Sequence, residues 1–209
     1  MHRWKLWEDD GCIAGLVFYE NPVNDVYFSL RPGYEKLADE MVPAGFRQAS
    51  GFTENVFDFE QSLNYPLPDG FHFVDSKKFS VEKIAECCWK GFDHEKEEGP
   101  WNGDAEYGYY ELMAPHMHPE DSVVIENDQG EYVCYAGMWW TPENHLAYME
   151  PLCTIPKYRK KGLATAALSE HYRRLKPLGA THMTGGGNAF YEKIGFKPMV
   201  HWTFWEKNS

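Results

Sequence analysis

The stretch that decides the fold reads Thr154-Ile155-Pro156-Lys157-Tyr158-Arg159-Lys160-Lys161-Gly162-Leu163-Ala164-Thr165. The apolar run before it, from Leu146 to Ile155, predicts a strand that Pro156 ends. A helical periodicity then extends from Gly162 to Lys176, and Pro177 and Gly179 close it. A strand that enters a helix through so tight a turn leaves the first N–H groups of the helix free at the turn.

Four basic residues crowd this junction: Lys157, Arg159, Lys160 and Lys161. Cations suit the C-terminal end of a helix dipole, so bases at the N-terminal end oppose it unless an anion binds there. A basic, solvated helix start is the alternative interpretation. The free amides, the charge and a glycine that admits close approach favour a pyrophosphate-binding turn.

The flanking segments alternate strand and helix. A strand at 71–74, a helix after Ser80, a hairpin of 122–126 and 131–141, a short strand at 182–184, a short helix at 188–194 and a final pair of strands within 196–206 surround the turn. This order predicts an α/β (α+β mixed) fold, with a central twisted mixed sheet flanked by helices.

Residues 1–68 form a smaller N-terminal part, and 69–209 form the main domain, with a linker at Tyr65-Pro66-Leu67-Pro68-Asp69-Gly70. Strands at 4–7, 13–19 and 26–30 and a helix at 34–42 are predicted, whereas 51–60 is ambiguous. Glycine and proline spacing in this part echoes the region from Gln129 to Tyr158. We therefore expect a degenerate half-copy of the main domain.

Arg159-Lys160-Lys161-Gly162-Leu163-Ala164 resembles the Arg/Gln-x-x-Gly-x-Gly/Ala signature of the GNAT superfamily, the acyl-CoA-dependent N-acyltransferases. A second motif, Asn188-Ala189-Phe190-Tyr191-Glu192-Lys193-Ile194-Gly195-Phe196, follows in the order that is typical of that family. The resemblance covers roughly residue 70 to the C-terminus. It implies a GNAT-like fold and an acetyl-CoA-dependent N-acetyltransferase without a metal.

The resemblance also implies roles for particular residues. The pantetheine arm would pair with the strand end at Cys153, Thr154 and Ile155, and Asn188 would bond it, although Asn188 equally suits the N-cap of its helix. The pyrophosphate would lie on the turn and the first residues of the helix, namely Arg159, Lys160, Lys161, Gly162, Leu163, Ala164 and Thr165. In the N-terminal part, Tyr34-Glu35-Lys36-Leu37-Ala38-Asp39-Glu40 stands in place of the signature and lacks its arginine and glycine.

Acyl transfer to an amine benefits from an acid that protonates the leaving thiolate, because free thiols have a pKa of about 8.5. Tyr191 matches the family's tyrosine acid; packing beside Phe190 and Ile194 is the alternative. Glu150, on the strand before the signature, is the candidate base, acting directly or through water. Substrate anchoring by Glu150 and a basic role for His182 remain open.

Other features carry less weight. Cys153 could suggest a nucleophile, but no histidine and aspartate pattern accompanies it, and the five cysteines read as reduced thiols. His116 and His118 form no standard zinc spacing. One of Trp139 and Trp140 should pack in the core while the other faces outward. The run Gly185-Gly186-Gly187 is interpreted as flexible clearance beside the cofactor thiol.

The chain carries 20 Lys+Arg and 32 Asp+Glu, a net charge of −12, which argues against nucleic acid as a partner. Twelve acids lie between Gly91 and Glu131, and seven bases between Lys157 and Lys176. We expect the basic window to hold the cofactor phosphates, and the acidic window to attract a small cationic molecule or a peptide amine.

No membrane span or signal peptide is visible in the sequence, so we expect a cytoplasmic protein. An exposed sheet edge in the N-terminal part would permit a homodimer. A non-catalytic module that binds acyl-CoA or a protein partner is the alternative function.

Overall fold

The computed structural model describes residues 4–18, 25–31, 33–41, 46–105 and 118–207. They form two compact units. Unit 1 comprises Met1–Asn55, Gly186–Ala189 and Lys197–Ser209, and unit 2 comprises Val56–Gly185 and Phe190–Phe196. The sequence places a boundary after residue 68, whereas the units divide at Asn55, and unit 1 also takes the last strand of the chain.

The described strands are β1 (Trp4–Asp9), β2 (Cys12–Phe18), β3 (Asp25–Leu30), β4 (Phe46–Asp58), β5 (Phe71–Phe73), β6 (Val123–Asn127), β7 (Tyr132–Thr141), β8 (Leu146–Thr154), β9 (His182–Gly185) and β10 (Lys197–Lys207). The α-helices are α1 (Ala38–Met41), α2 (Val81–Gly91), α3 (Leu163–Leu175) and α4 (Ala189–Lys193). Strands and helices alternate through the second half of the chain, so the α/β class is confirmed. No described helix combines the length and apolarity needed to cross a bilayer.

Unit 2 is built on a mixed sheet in which β9, β8, β7, β6 and β5 follow one another. The pair β8–β9 is parallel, and the other pairs are antiparallel. Residues 62–68 of this unit have no regular secondary structure, and this stretch includes most of the predicted linker. The mixed sheet agrees with the one predicted.

Two helices cover opposite faces of this sheet. From α2, Ile84 and Cys88 pack with Tyr135 of β7, whereas Leu163 and Ala167 of α3 pack with the neighbouring strand residues Cys134 and Ala136. Adjacent residues of a strand point to opposite faces, so the sheet lies between the two helices. Ser80 caps α2 as predicted, because its Oγ accepts the N–H of Lys83 at 3.3 Å.

Unit 1 is an antiparallel sheet in which β10 pairs with β3. Helix α1 covers one face of this sheet, where Met41 packs with Val17 and Phe28. The prediction of two final strands is wrong, since residues 197–207 form one strand of 11 residues. No turn-forming pair interrupts Val200-His201-Trp202-Thr203, so the apolar run continues as one strand. The ambiguous stretch 51–60 is mostly strand β4.

Candidate functional site

The parallel ladder between β8 and β9 stops early. Its pairs are Leu146↔His182 and Ala147↔Met183, although β8 continues to Thr154 and β9 to Gly185. Two residues beyond the last pair, the amide of Met149 donates to the side-chain Oγ1 of Thr184 at 2.9 Å. The two strands therefore part along the stretch where the sequence predicts a bound pantetheine arm.

Strand β8 has an irregularity close to the point where it separates from β9. Its register with β7 shifts between Ala136 and Met138, and the residues of β8 at that point are Glu150 and Pro151, joined by a cis peptide. Gly137 lies opposite, where a Cβ would come within 2.3 Å of the Glu150 carbonyl oxygen. Only glycine permits this close approach of the two strands.

The free edge of β8 can be assigned from its hydrogen bonds. The N–H of Ile155 donates to the carbonyl of Val133 on β7 at 3.0 Å. Backbone groups alternate between the two edges of a strand, so those of Thr154 and Leu152 point away from β7. Of the three residues expected to pair with the pantetheine arm, Thr154 thus faces the open side, while the amide of Ile155 is already bonded.

The turn after β8 has an uncommon backbone. Lys160 has a φ of 62° and Gly162 a φ of 86°, and the first α-helical bond of α3 runs from Ala166 N–H to the Gly162 carbonyl at 2.9 Å. The amides of Leu163, Ala164 and Thr165 therefore precede the hydrogen-bonded part of the helix. Left-handed residues before such amides form a concavity that suits an anion.

Two lysines of the turn lie against Tyr158. The Lys157 Nζ is 3.0 Å from the Glu131 carboxylate and lies over the Tyr158 ring, 4.9 Å from its centroid. Lys161 also lies over this ring, at 5.2 Å. Partial burial works against ionisation of Glu131, but hydrogen bonds from Lys157 and Tyr158 outweigh it and lower its pKa. This charge of Lys157 is thus balanced within the protein.

Each nitrogen of the Arg159 guanidinium has a partner within the protein. Its Nε donates to the Thr154 carbonyl at 3.0 Å, one terminal nitrogen donates to the Gly91 carbonyl at 2.7 Å, and the other is 2.8 Å from the Asp93 carboxylate. Lys96 and Arg159 hold the pKa of Asp93 below its usual range. The side chain links the end of α2 to the end of β8.

These pairs connect the two charge windows that the sequence separated. Asp93 and Glu131 belong to the acidic window, and each is paired with a base of the turn that follows β8. Three other bases of the basic window, Arg173, Arg174 and Lys176, lie at the other end of α3, about 20 Å along the helix axis. They bond Glu170 and backbone carbonyls. Part of the predicted charge contrast is therefore structural.

Tyr191, the candidate acid, is 6% exposed and lies in the core of unit 2. Its ring packs edge-to-face on Phe190 and Phe196, with centroids 5.0 and 5.3 Å away. A Cβ on Gly185 would lie 2.5 Å from this ring. The side chain thus fills the packing position that the sequence offered as the alternative, directly beside the end of β9.

The glycine run has a different role from the expected flexible clearance. Gly185 is closed by Tyr191, and a Cβ on Gly187 would lie 2.2 Å from the Thr53 carbonyl oxygen. Both glycines are required by close packing. Asn188 immediately precedes α4, as an N-cap position would.

Glu150, the candidate base, is exposed, and so is its neighbour Tyr148. Tyr148 meets Trp139 edge-to-face at 6.2 Å, whereas Trp140 is buried in the core, as the sequence predicted for one of the two tryptophans. His182 opens β9 at the paired end of the ladder, three residues before Gly185. Glu150 therefore lies nearer than His182 to the stretch in which β8 and β9 are separated.

Cys153 is buried among other thiols. Its Sγ lies 3.9 Å from the Sγ of Cys88 and 3.7 Å from the Cys87 carbonyl oxygen. Burial raises the pKa of nearby Cys134 to about 12. His116 lies outside the described residues and His118 is exposed; within the described ranges, no group of three metal-ligating side chains occurs.

Two further polar residues, Asn55 and Thr184, are buried. Asn55 is 2% exposed; its Nδ2 donates to the Gly186 carbonyl at 2.9 Å, and its Oδ1 is buried without a partner among the described residues. Thr184 supplies the hydroxyl that ends the β8–β9 ladder. Sequence patterns miss both, because a single Asn or Thr in a strand has no characteristic spacing.

Comparison with known proteins agrees with this geometry. Residues 118–198 match the family model described as an acetyltransferase (GNAT) domain. That range contains the parted strands, the turn, α3 and Tyr191. A comparison with curated protein sequences finds no match.

Solved structures share the fold at low sequence identity. A GCN5-related N-acetyltransferase from Sphaerobacter thermophilus is 14% identical, with a TM-score of 0.61 over 95% of this chain and 78% of that one. One from Kribbella flavida is 17% identical, with a TM-score of 0.53 over 85% and 65%. A tandem GNAT protein from the clavulanic acid biosynthesis pathway is 11% identical, with a TM-score of 0.54 over 99% and 84%. Residues 118–198 of the chain thus match a GNAT acetyltransferase domain, and the chain shares its fold with solved GCN5-related N-acetyltransferases.

Proposed function

We propose that the protein transfers an acetyl group from acetyl-CoA directly to an amine, within one ternary complex. The observation that carries the proposal is the pairing of an early end to the β8–β9 ladder with a left-handed turn that leads into free helix amides. The first feature suits an extended amide-bearing arm, and the second suits a diphosphate. Together they match the pantetheine arm and the adjoining diphosphate of CoA.

In this proposal the chain holds the co-substrate through its backbone. Leu152 offers its amide and carbonyl and Thr154 its amide on the open edge of β8, and the amides of Leu163, Ala164 and Thr165 bind the diphosphate oxygens. Lys160 and Lys161 add charge at the rim of the turn, and Asn188 bonds the pantetheine arm. The bound thioester supplies the acetyl group.

Two side chains handle the protons. Glu150 takes a proton from the acceptor ammonium, directly or through water, so that the neutral amine can attack. Tyr191 gives its phenolic proton to the leaving sulfur. Its burial limits competition from water at that position. Cys153 takes no covalent part, because a thiol enclosed by Cys87 and Cys88 does not reach an acyl group without repacking.

The acceptor is a small cationic molecule or a peptide amine. The exposed carboxylate of Glu150 and the aromatic pair of Tyr148 and Trp139 support this class, since an ammonium group is attracted both to a carboxylate and to an aromatic face. Asp93 and Glu131 do not contribute to this attraction, because each is paired within the protein.

Thiol release from acetyl-CoA in the presence of a panel of amines tests the activity. Turnover with at least one primary amine and intersecting double-reciprocal lines are expected. Tyr191→Phe should lower kcat about a hundredfold with little change in KM for acetyl-CoA, and Cys153→Ser should remain active. Parallel lines together with an inactive Cys153→Ser would establish a covalent intermediate instead.

A non-catalytic acyl-CoA-binding module is the second candidate, supported by the packed position of Tyr191 in the core. It predicts that CoA raises the melting temperature while no amine in the panel releases thiol. Absence of both effects would remove the CoA site itself.

A further inference from the structure

Arg159 is the first residue of the signature, and its charge is the natural candidate for a phosphate ligand. Its three nitrogens have other partners: the carbonyl of Thr154, the carbonyl of Gly91 and the carboxylate of Asp93. We propose that the Arg159 side chain is a positioning residue that fixes the open edge of β8 and the end of α2, and that it does not bind the phosphates of CoA.

The geometry of the carbonyl contacts supports this role. Thr154 is the last residue of β8, and its carbonyl lies on the open edge that is proposed to pair with the pantetheine arm. The Nε of Arg159 bonds that carbonyl at 3.0 Å, and the N–H of the same peptide, that of Ile155, bonds Val133, so the last peptide of β8 is held in one orientation. The guanidinium thus orders the binding edge without touching the ligand.

The contacts with α2 explain why an arginine is needed. Gly91 ends α2 against β8, and a Cβ there would lie 2.8 Å from the Cβ of Cys153. The Gly91 carbonyl belongs to the last turn of the helix, where no later amide of the helix bonds it, so a cation is favourable there. Asp93 follows with a φ of 63°, which directs its carboxylate to the same guanidinium. A planar fork can satisfy all three acceptors, whereas a lysine ammonium cannot reach them together.

The charge balance also disfavours phosphate binding by Arg159. Asp93 neutralises its guanidinium at 2.8 Å, and the pKa of Asp93 is lowered by Lys96 and Arg159, so the pair stays ionised near neutral pH. The three contacts use three of the five guanidinium N–H groups, so a diphosphate that kept them would find only the two remaining N–H groups on a charge that Asp93 already neutralises. Lys160, exposed at the turn, can reach an anion without that limit.

Titration calorimetry with CoA at low and high KCl tests this inference, which rests on the proposed CoA site. Arg159→Lys keeps the charge and loses the three contacts. We expect it to raise the Kd for CoA about tenfold at both salt concentrations, as Arg159→Ala does. Lys160→Ala, the matched control in the same turn, should raise Kd by a factor that shrinks at high salt. Asp93→Asn should resemble Arg159→Lys, and the double variant should be no weaker than either one.

An Arg159→Lys variant that binds CoA like the parent, or an Arg159→Ala defect that disappears at high salt, would identify Arg159 as a phosphate ligand and overturn the inference. The ligand-free chain gives a separate test. Urea midpoints of the single variants and of the double variant Arg159→Lys/Asp93→Asn should be non-additive, and additive midpoints would contradict the link. If the parent failed to bind CoA, the proposed function would be wrong, but the urea midpoints would still test whether Arg159 and Asp93 are coupled.

Discussion

The chain contains two strand-to-helix turns that resemble each other in sequence and differ in chemistry. In unit 2, β8 passes through Tyr158 and Gly162 into α3; in unit 1, β3 passes through Gly33 and Tyr34 into α1. Each tyrosine hydroxyl donates to an acid beside the hairpin of its own unit, Glu131 for Tyr158 and Asp9 for Tyr34. The scaffold of the turn is therefore similar in both units.

The two turns differ in the group that accepts hydrogen bonds from their backbone amides. In unit 1 the N–H of Gly33 donates to the Glu35 carboxylate at 2.9 Å, and this bond holds the pKa of Glu35 below its usual range. Unit 2 has no acidic residue between Pro156 and Thr165, and its helix has 13 residues where α1 has 4. A turn that contains its own carboxylate has less to offer an anionic ligand, which supports the proposal that CoA binds at the turn of unit 2 and not at that of unit 1.

The most severe change transfers the feature of unit 1 into unit 2. Gly162→Glu puts a carboxylate among the amides and a side chain at a φ of 86°. We expect CoA affinity to fall at least a hundredfold, roughly 3 kcal/mol, as measured by the shift in melting temperature over a range of acetyl-CoA concentrations. Gly162→Ala, which adds only the backbone strain, should lose much less; an equal loss would mean that strain, and not charge, explains the effect.

The long helix of unit 2 also carries a buried histidine. Desolvation lowers the pKa of His171 to about 3, and its Nε2 bonds the Ala136 carbonyl at 3.2 Å. The unfolded chain binds the proton near pH 6.5, so stability is complete above that pH and is lost as the pH falls toward 3.

Between pH 7 and pH 4, the unfolding free energy of the parent should fall by about 3 kcal/mol more than that of His171→Gln, a variant whose side chain is a neutral donor at every pH. Urea denaturation across this range measures the difference. Curves that stay parallel at every pH would show that His171 is protonated with little cost in the folded chain.

Backbone strain in the turn of unit 2 gives a smaller effect. Lys160 has a φ of 62°, which a side chain adopts at a cost, so Lys160→Gly should raise the unfolding free energy by about 0.5–1 kcal/mol while weakening CoA binding several-fold. Lys161 is not among the residues with positive φ, which makes Lys161→Gly the control without a gain in stability. A loss of stability in Lys160→Gly would mean that its side chain contributes more than the strain costs.

The least effect is expected in unit 1. Glu35→Gln removes the internal charge of the first turn, yet the short helix α1 and the absence of a glycine at the equivalent of Gly162 remain. CoA affinity should change less than about twofold, within the usual range for an exposed substitution away from a site. A new, second CoA site in this variant would show that Glu35 alone keeps the turn closed.

The sequence predicts the elements and the motif order well because periodicity, caps and turn residues are local. Ser80, Pro156 and Gly162 act within a few residues of themselves, and each has the predicted role at an element boundary. Two of the three partners of Arg159, Gly91 and Asp93, are distant in sequence: Gly91 lies 68 positions away, and no spacing rule connects it to Arg159. The same reason hides the packing of Gly185 against Tyr191 and of Gly187 against Thr53. Counts of charged residues along the sequence have the same limit, because they do not reveal that Asp93 and Glu131 form ion pairs with bases of the turn after β8.

The stoichiometry of CoA binding tests the central claim most directly. Calorimetric titration of the full chain should give one CoA per chain, unchanged by Glu35→Gln and abolished by Gly162→Glu. Two CoA molecules per parent chain, or one that persists in Gly162→Glu, would contradict the assignment of the cofactor turn to unit 2 alone.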